Sequence, residues 1–282
     1  MSPPPRTAIT VTLDIEDHLG RYEAAGRYVD NTRRILAFLA ERNVRATCFV
    51  VGRIAEAAPG LVREIAAGHE LACHSLRHTP LDRETPATFR TDTRRAKDLL
   101  EQAGGVPVLG YRAPIFSLTA RTAWALPELA ELGFRYSSSV IPAVGALYGF
   151  PGVPPTPFRW PSGLVEFPVP VARFGPARLP FLGGVYLRYL PGWLIRRAAR
   201  SLPDRVLWTY MHPYDFDADE PYSRMPDTAL WVSLMLWFNR GGTWNKLAQV
   251  LELGVGKPLG ELAGNAAYLG ALPQPPLAVS SN

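Results

Sequence analysis

Short runs of aliphatic residues alternate with segments of helical periodicity along the first half of this chain, and this alternation limits the fold most strongly. Residues 8–15 and 46–51 are rich in β-branched and aliphatic side chains and predict strands, whereas apolar positions recur at helical spacing in residues 31–41. Further strands are predicted at 70–73, 108–111 and 206–211, and further helices at 59–67, 86–102 and 193–201. This order predicts an α/β fold whose parallel sheet closes, fully or nearly, into a barrel.

Length and composition fit one such barrel. The chain has 282 residues, of which 47% are hydrophobic and 20% charged, and this suffices for a single large core. We therefore predict one domain over residues 1–282, with the barrel core over residues 8–221. Prolines interrupt the pattern in residues 142–190, which predicts an irregular insertion with short β pieces, and residues 227–270 are expected to form a helical C-terminal extension.

The charge, the cysteine content and the apolar stretches restrict which partners the chain is expected to bind and in which cellular compartment it is expected to lie. The formal net charge is +5, but Lys and Arg form no run interleaved with aromatics, so a nucleic acid partner is not expected. Cys48 and Cys73 are too few for a disulfide framework, and residue 8 already begins a strand, so a cytoplasmic location is expected. The apolar residues 229–238 are roughly half of what a spanning helix needs; they predict a core helix, with membrane-surface contact as the alternative.

Polar side chains follow the predicted strands at the point where each strand ends. Asp14 and Glu16 close the first strand, His74 follows the strand at 70–73, Arg112 follows the strand at 108–111, and His212 follows the strand at 206–211. In barrels of this class the active site lies at the carboxyl ends of the strands. We therefore expect these side chains to meet at one mouth of the barrel.

Three of these side chains, together with His78, have the chemistry of a metal site. Asp14 and Glu16 share one face of their strand because alternate residues point the same way. His74 and His78 are separated by three residues, a spacing that lets two imidazole nitrogens reach one ion. Two imidazoles with one carboxylate form a catalytic site that leaves positions open for water and substrate. The sequence therefore predicts a mononuclear divalent-metal site, and Zn²⁺ is the favoured ion.

The other two strand-end residues suit proton transfer. The guanidinium of Arg112 can hold a carboxylate in fixed bidentate geometry, and its natural partner is Asp14, which it would keep ionised and oriented as a base. His212 would be positioned to donate a proton.

Eight motifs in order give the chain a family resemblance. The match extends from about Ile9 to Pro221, and the motifs read TLDIEDH, ATCFVVG, AAGHELACHSLRH, GYRAP, ELGFRYSSSVIP, RWPSGLVEFPV, GGVYLRYLP and YMHPYDFD. The chain resembles the polysaccharide deacetylases of carbohydrate esterase family 4, which share the nodulation-type chitooligosaccharide deacetylase domain. More narrowly, it is similar to the branch that accompanies exopolysaccharide gene clusters. The resemblance implies a distorted (β/α)7 barrel and hydrolytic removal of N-acetyl groups.

The resemblance also implies a role for each residue of the mouth. It implies Asp14 as the catalytic base, tuned by Arg112, and His212 as the general acid. It implies His74 and His78 as metal ligands.

The chain departs from the family pattern at two positions. In the commoner motif two adjacent aspartates serve as base and ligand, whereas Ile15 follows Asp14 here. The ligand role must move to Glu16, which strand alternation places beside Asp14, or to Asp17. Ser137 stands in the fourth motif where relatives often carry an acidic residue, which leaves the group that tunes the general acid unassigned.

We therefore expect a metal-dependent hydrolase that removes an N-acetyl group from an amino sugar in a polysaccharide, an oligosaccharide or a lipid-linked glycan intermediate. Exopolysaccharide or lipopolysaccharide biosynthesis would supply such a substrate, and a lipid-linked one would be met at the membrane surface. Two alternatives stay open: an amidase that acts on a non-sugar C–N bond at the same site, and a non-catalytic glycan-binding protein. A glycosidase is disfavoured, because it has no need for a histidine pair.

Overall fold

A sheet of short, largely buried strands lies at the centre of the molecule. The computed structural model describes residues 7–144, 148–202, 205–225, 229–265 and 272–273. Within these residues the strands are β1 (Ile9–Thr10), β2 (Thr12–Ile15), β3 (Thr47–Val50), β4 (Glu70–Cys73), β5 (Gly110–Tyr111), β6 (Tyr136–Ser137), β7 (Phe158–Arg159), β8 (Val165–Glu166), β9 (Val171–Phe174), β10 (Ala177–Pro180) and β11 (Leu207–Trp208).

The sheet closes into an irregular barrel. Its strand order is β2-β3-β4-β5-β6-β8-β7, and all neighbours are parallel except β7 and β8. β1 continues directly into β2 and pairs in parallel with β11, and Leu13 of β2 bridges Met211 just beyond β11. On the other side, the indole Nε1 of Trp208 donates a hydrogen bond of 3.1 Å to the carbonyl of Pro168, two residues after β8. Seven parallel positions thus surround one interior, and the predicted distorted (β/α)7 barrel is confirmed.

Helices cover the outside of the barrel. They are α1 (Arg27–Ala40), α2 (Gly52–Ala57), α3 (Pro59–Gly68), α4 (Pro86–Gly104), α5 (Ala125–Glu131), α6 (Gly184–Tyr189), α7 (Gly192–Arg200), α8 (Leu230–Trp237), α9 (Thr243–Leu251) and α10 (Leu259–Ala263). The bounds of α4 follow from its sequence. Thr85 caps the first turn by accepting a hydrogen bond from the Thr88 amide, and Gly105 ends the helix with a φ of 67°.

Strand alternation separates two apolar layers and places Asp14 inside the barrel. On β3, Cys48 and Val50 pack in the layer between sheet and helices, whereas Phe49 packs in a second cluster with Tyr136. Asp14 is in register with Phe49, so its carboxylate lies on the same interior face. The fold therefore directs this acid into the barrel.

One part of the predicted insertion belongs to the barrel. Residues 142–190 were expected to form an irregular insertion, but Val165 and Glu166 of β8 pair in parallel with β6 and continue the central sheet. A short β piece was predicted here, but the expectation that it lies outside the barrel is wrong, because its pairing with β6 is a tertiary contact that the residue pattern does not show. The hairpin of β9 and β10 does lie outside the main sheet.

The C-terminal extension is helical in its described part, through α8, α9 and α10. Residues 227–228 and 266–270 of the predicted extension lie outside the described residues, and the division of the chain into one domain stays a prediction.

The prediction that residues 229–238 form a core helix is wrong. The segment is helical as α8, but Ser233 is its one buried residue, whereas Trp231 is 67% exposed. Apolar composition alone predicted burial, and it cannot reveal that the helix lies at the surface. Among the described residues, none of the helices combines the length and apolar character needed to cross a membrane.

Candidate metal centre

The two acids of the mouth stand at the end of the first long strand. Asp14 lies in β2 and is 3% exposed, and Glu16 directly follows β2 and is 4% exposed. The Asp14 amide donates to the carbonyl of Met211 at 2.8 Å, which ties this strand end to the chain just before His212. Both carboxylates are therefore buried and fixed in the barrel mouth, as the strand alternation predicts.

The two histidines are placed by a curled loop after β4. Ser75 and His78 both take left-handed backbone conformations, with φ of 64° and 59°, and the His78 amide donates to Ser75 Oγ at 2.8 Å. The side chain of His74 is oriented by a contact of 2.9 Å between its Nδ1 and the carbonyl of Arg112. When Nδ1 carries the proton and donates to that carbonyl, Nε2 is left as a free ligand atom.

Glu16, His74 and His78 converge on one point. Their ligand atoms lie within 4.8 Å of one another. Glu16 Oε2 lies 2.5 Å from His78 Nε2 and 3.4 Å from His74 Nε2. This oxygen is buried, yet it accepts no hydrogen bond of acceptable geometry among the described residues. A buried carboxylate oxygen left without a hydrogen bond and faced by two imidazole nitrogens fits a divalent metal ion.

The electrostatics of the cluster favour an ionised carboxylate. Burial raises the pKa of Glu16, but the adjacent imidazoles of His78, His74 and His212 outweigh burial and hold this pKa well below its ordinary value. Glu16 is therefore in the anionic form that binds metal over the neutral pH range.

Asp17, the alternative ligand, is not part of this cluster. Its Oδ1 accepts hydrogen bonds from the amides of Leu19 at 2.9 Å and Arg21 at 3.0 Å. The carboxylate therefore caps the turn that follows β2. Strand alternation explains the difference, because neighbouring residues point in opposite directions.

Arg112 contacts Asp14 as the sequence predicts, but through a single nitrogen rather than in the expected bidentate geometry. The guanidinium is fully buried, and its Nη1 donates to Asp14 Oδ1 at 2.5 Å and to the hydroxyl of Thr12 at 2.9 Å. Its Nε and Nη2 donate to the carbonyl and hydroxyl of Ser138 at 3.1 and 3.0 Å. The carbon between these nitrogens lies 3.9 Å from the ring centroid of Phe49. The charge is thus fully paired, and one oxygen of Asp14 is fixed by it.

One ring nitrogen of His212 faces Asp14 and Glu16, and the other contacts Asp215. Its Nε2 lies 3.8 Å from Asp14 Oδ2 and 3.8 Å from Glu16 Oε1, and its Nδ1 lies 2.8 Å from Asp215 Oδ2. Burial lowers the pKa of His212, but the charge and hydrogen bond of Asp215, together with the charges of Glu16 and Asp14, raise it to about 9. The imidazole is therefore protonated at neutral pH and able to donate from Nε2.

Two residues of the site were missed by sequence reasoning. Asp215 lies in the 3-10 turn Pro213–Phe216 that follows His212, and its carboxylate also accepts from the His212 amide at 2.9 Å. Tyr214 stacks on His212, with ring centroids 4.6 Å apart, and donates from its hydroxyl to Glu16 Oε1 at 3.2 Å. The available signal was an acid three residues after a histidine, the spacing of one turn.

Ser137 does not take the place of the missing acid. Its hydroxyl lies 2.8 Å from that of Ser139, and Ser139 in turn donates from its amide to Glu166. Asp215 thus reaches the imidazole from the chain just after His212, not from the strand that carries Ser137.

Two family models together match most of the chain. Residues 2–137 match the family model described as polysaccharide deacetylase, and residues 138–254 match one described as a domain of unknown function, DUF3473. A bifunctional xylanase/deacetylase of Pseudobutyrivibrio xylanivorans is 28% identical over 89 residues. That match covers 31% of this chain and only 15% of the relative's length.

Solved structures share the fold. A candidate polysaccharide deacetylase of Mycobacterium smegmatis is 21% identical, with 99% of this chain and 96% of that chain covered and a TM-score of 0.63. A probable polysaccharide deacetylase of Pseudomonas aeruginosa is 16% identical, with 93% of each chain covered and a TM-score of 0.58.

Proposed function

The chain belongs to the polysaccharide deacetylase family, in its exopolysaccharide-associated branch, and from this premise we propose that it is a metal-dependent hydrolase that removes an N-acetyl group from an amino sugar in a glycan. The observation that carries the proposal is the convergence of Glu16, His74 and His78 beside an Arg-held carboxylate and a protonated imidazole. A metal ion, a base and an acid together supply the Lewis acidity and the proton transfers of metal-assisted amide hydrolysis.

Glu16, His74 and His78 would hold the ion, and we propose Zn²⁺ because two imidazoles with one carboxylate are a frequent catalytic zinc set. When bound, the ion supplies Lewis acidity toward the acyl carbonyl and its water. Nδ1 of His74 is fixed by the Arg112 carbonyl, and Glu16 is fixed by the hydroxyl of Tyr214. These contacts orient the ligands before an ion arrives.

Asp14 would act as the base that takes the water proton. Arg112 binds its Oδ1, which leaves Oδ2 to face the interior of the mouth. A carboxylate that is buried and paired on one side is held in a single orientation, so its free oxygen is prepared for proton transfer.

His212 would act as the general acid. Its Nε2 points into the mouth, 3.8 Å from Asp14 Oδ2, and Asp215 stabilises its protonated form. The departing sugar amine needs a proton because an amine anion is a very poor leaving group. Proton transfer by a positioned side chain contributes roughly 10²- to 10⁴-fold to such a reaction.

The glycan is proposed to be a lipid-linked intermediate rather than a finished polymer, and a cytoplasmic location stays a prediction. An amidase on a non-sugar substrate would use the same residues, whereas a glycan-binding protein would need neither the base nor the acid. The completeness of the base, acid and ligand set supports catalysis.

Mass spectrometry on a panel of free and lipid-linked N-acetylated sugars would test the proposal. We expect loss of one acetyl group (C₂H₂O) from at least one sugar, abolition by a chelator and recovery with Zn²⁺. Asp17→Asn serves as a matched control for Glu16→Gln, because both remove one charge from adjacent residues. Intact sugars throughout, or activity that a chelator leaves unchanged, would overturn the proposal.

A further inference from the structure

Helix α8 exposes an apolar surface. Leu230, Trp231, Leu234 and Phe238 are between 52% and 67% exposed. Residues 229–239 contain no charged side chain. Soluble proteins rarely leave contiguous large apolar side chains facing water, and such patches mark sites of interaction.

A basic surface accompanies this helix. Residues 167–203 contain neither Asp nor Glu, and five of their six arginines are at least partly exposed, whereas Arg188 is buried. Three of these arginines, Arg196, Arg197 and Arg200, line one open depression on α7 together with Trp193, which is 62% exposed. None of the three forms an ion pair with an acid in the part of the chain that the structure describes. Their charge is available to an external anion.

The apolar and the basic surfaces are neighbours. Tyr189, the last residue of α6, lies with its ring 4.9 Å from that of Phe238, and its hydroxyl donates to the carbonyl of Met235 at 3.3 Å. Arg188 donates from Nη1 to the carbonyls of Leu236 and Phe238, both at 2.8 Å, and so holds the end of α8 against α6. Trp193 follows Tyr189 by four residues, so their Cα atoms are at most about 15 Å apart.

The same helix reaches the wall of the metal centre. The ring of Trp237 lies 5.0 Å from that of His18, and His18 lies 4.8 Å from Tyr214. Tyr214 in turn donates to Glu16. Two ring contacts and one hydrogen bond thus connect the exposed helix to Glu16, a ligand of the proposed metal.

We propose that α8, Trp193, Arg197 and Arg200 form a lipid-docking surface that binds the face of an anionic bilayer. Tryptophan and other large apolar side chains insert at the level of the lipid headgroups, and arginines beside them pair with lipid phosphates. A second copy of the chain is a poorer occupant, since a twofold interface would bring the arginines of one copy against those of the other. If the proposed function holds, docking brings the mouth beside the sugars of lipid-linked glycans.

Vesicle flotation with the full chain tests this surface. The probes are vesicles of phosphatidylcholine alone and vesicles with added phosphatidylglycerol. The wild-type chain should bind the anionic vesicles, bind neutral ones far less, and bind more weakly as salt rises. Arg197→Gln with Arg200→Gln should lower the partition coefficient about 30-fold, because each basic residue near an anionic surface adds about 1 kcal/mol. Trp231→Ser with Leu234→Ser should lower it at least about tenfold.

A charge-matched control uses Arg63→Gln with Arg94→Gln, two exposed arginines on α3 and α4. This pair should bind vesicles like the wild type, and thermal unfolding monitored by circular dichroism should show that every variant is folded. The inference would be overturned if the wild-type chain did not bind anionic vesicles. It would also be overturned if the control pair lost as much binding as the docking pair, or if the chain formed a dimer that Leu234→Ser dissociates.

Binding is measured without metal and without a sugar substrate, so its result is separate from that of the acetyl-removal assay. A chain that binds vesicles but leaves every N-acetylated sugar intact would overturn the proposed function and leave the lipid-docking surface standing. A chain that removes acetyl groups but does not bind anionic vesicles would overturn the lipid-docking surface and leave the proposed function standing.

Discussion

The contact between Asp215 and His212 gives the sharpest prediction about proton transfer. Asp215→Asn keeps the size of the side chain and an oxygen that can accept from Nδ1, but it removes the negative charge. The contact is 2.8 Å long and Asp215 is 1% exposed, so water screens this charge little. The substitution should therefore lower the pKa of His212, since the protonated imidazole loses its stabilising partner.

The size of the effect follows from the geometry. A hydrogen bond to a charged partner contributes about 1.5–3 kcal/mol. One pH unit corresponds to about 1.4 kcal/mol, so the pKa of His212 should fall by about one to two units. A general acid is active below its pKa. The alkaline limb of the pH profile of kcat should therefore move to lower pH by about the same amount.

The assay is the pH dependence of kcat on an N-acetylated substrate, measured for the wild type, Asp215→Asn and Asp217→Asn. Asp217 is a matched control, because its buried carboxylate pairs with Arg27 and Asn31 rather than with His212. The control should leave the alkaline limb in place. An alkaline limb that stays fixed in Asp215→Asn, or moves to higher pH, would refute the assigned role.

Three further predictions follow from other contacts. Arg112→Ala should cost about 2–5 kcal/mol of stability by leaving a buried carboxylate unpaired, seen as a lower midpoint in urea, and should abolish turnover. Tyr214→Phe should weaken metal binding about 10- to 100-fold in a competition titration, with unfolding nearly unchanged. Asp217→Asn should destabilise the chain by about 1–3 kcal/mol at neutral pH. Burial raises the pKa of Asp217, but its bonds to Arg27 and to an asparagine lower it overall, so its stabilisation is present above the unfolded-state pKa of about 3.9 and is lost as pH falls through the lower folded value.

The barrel and the placement of its polar strand ends were predictable because they rest on periodicity. Alternation that continues one residue beyond β2 predicts that Glu16 lies on the same side as Asp14, and Asp17 instead caps the turn that follows. Arg112 was predicted to meet Asp14, since both stand at the carboxyl ends of strands of the same parallel sheet, and the structure brings them together.

Other features depend on tertiary contacts that a single sequence does not contain. Asp215 acts through a 3-10 turn; its spacing of three residues from His212 allows a contact, but the spacing alone does not show that a turn forms there and brings the two side chains together. β8 was predicted only as a short β piece of an insertion, and its pairing with β6 is a tertiary contact. Helix α8 is apolar on every side, so its sequence alone could not reveal that it lies exposed beside α6.

Zinc titration of the metal-free chain tests whether Glu16, His74 and His78 bind one ion together. The wild type should bind a single Zn²⁺, and Asp17→Asn should bind it equally well. Zinc binding should be weakened more than about 100-fold in each of Glu16→Gln, His74→Ala and His78→Ala. Removing even a group that only hydrogen-bonds to a metal ligand lowers metal affinity about 10- to 100-fold. Equal affinity in Glu16→Gln and the wild type, or no binding by the wild type, would contradict the binding of one ion by these three residues.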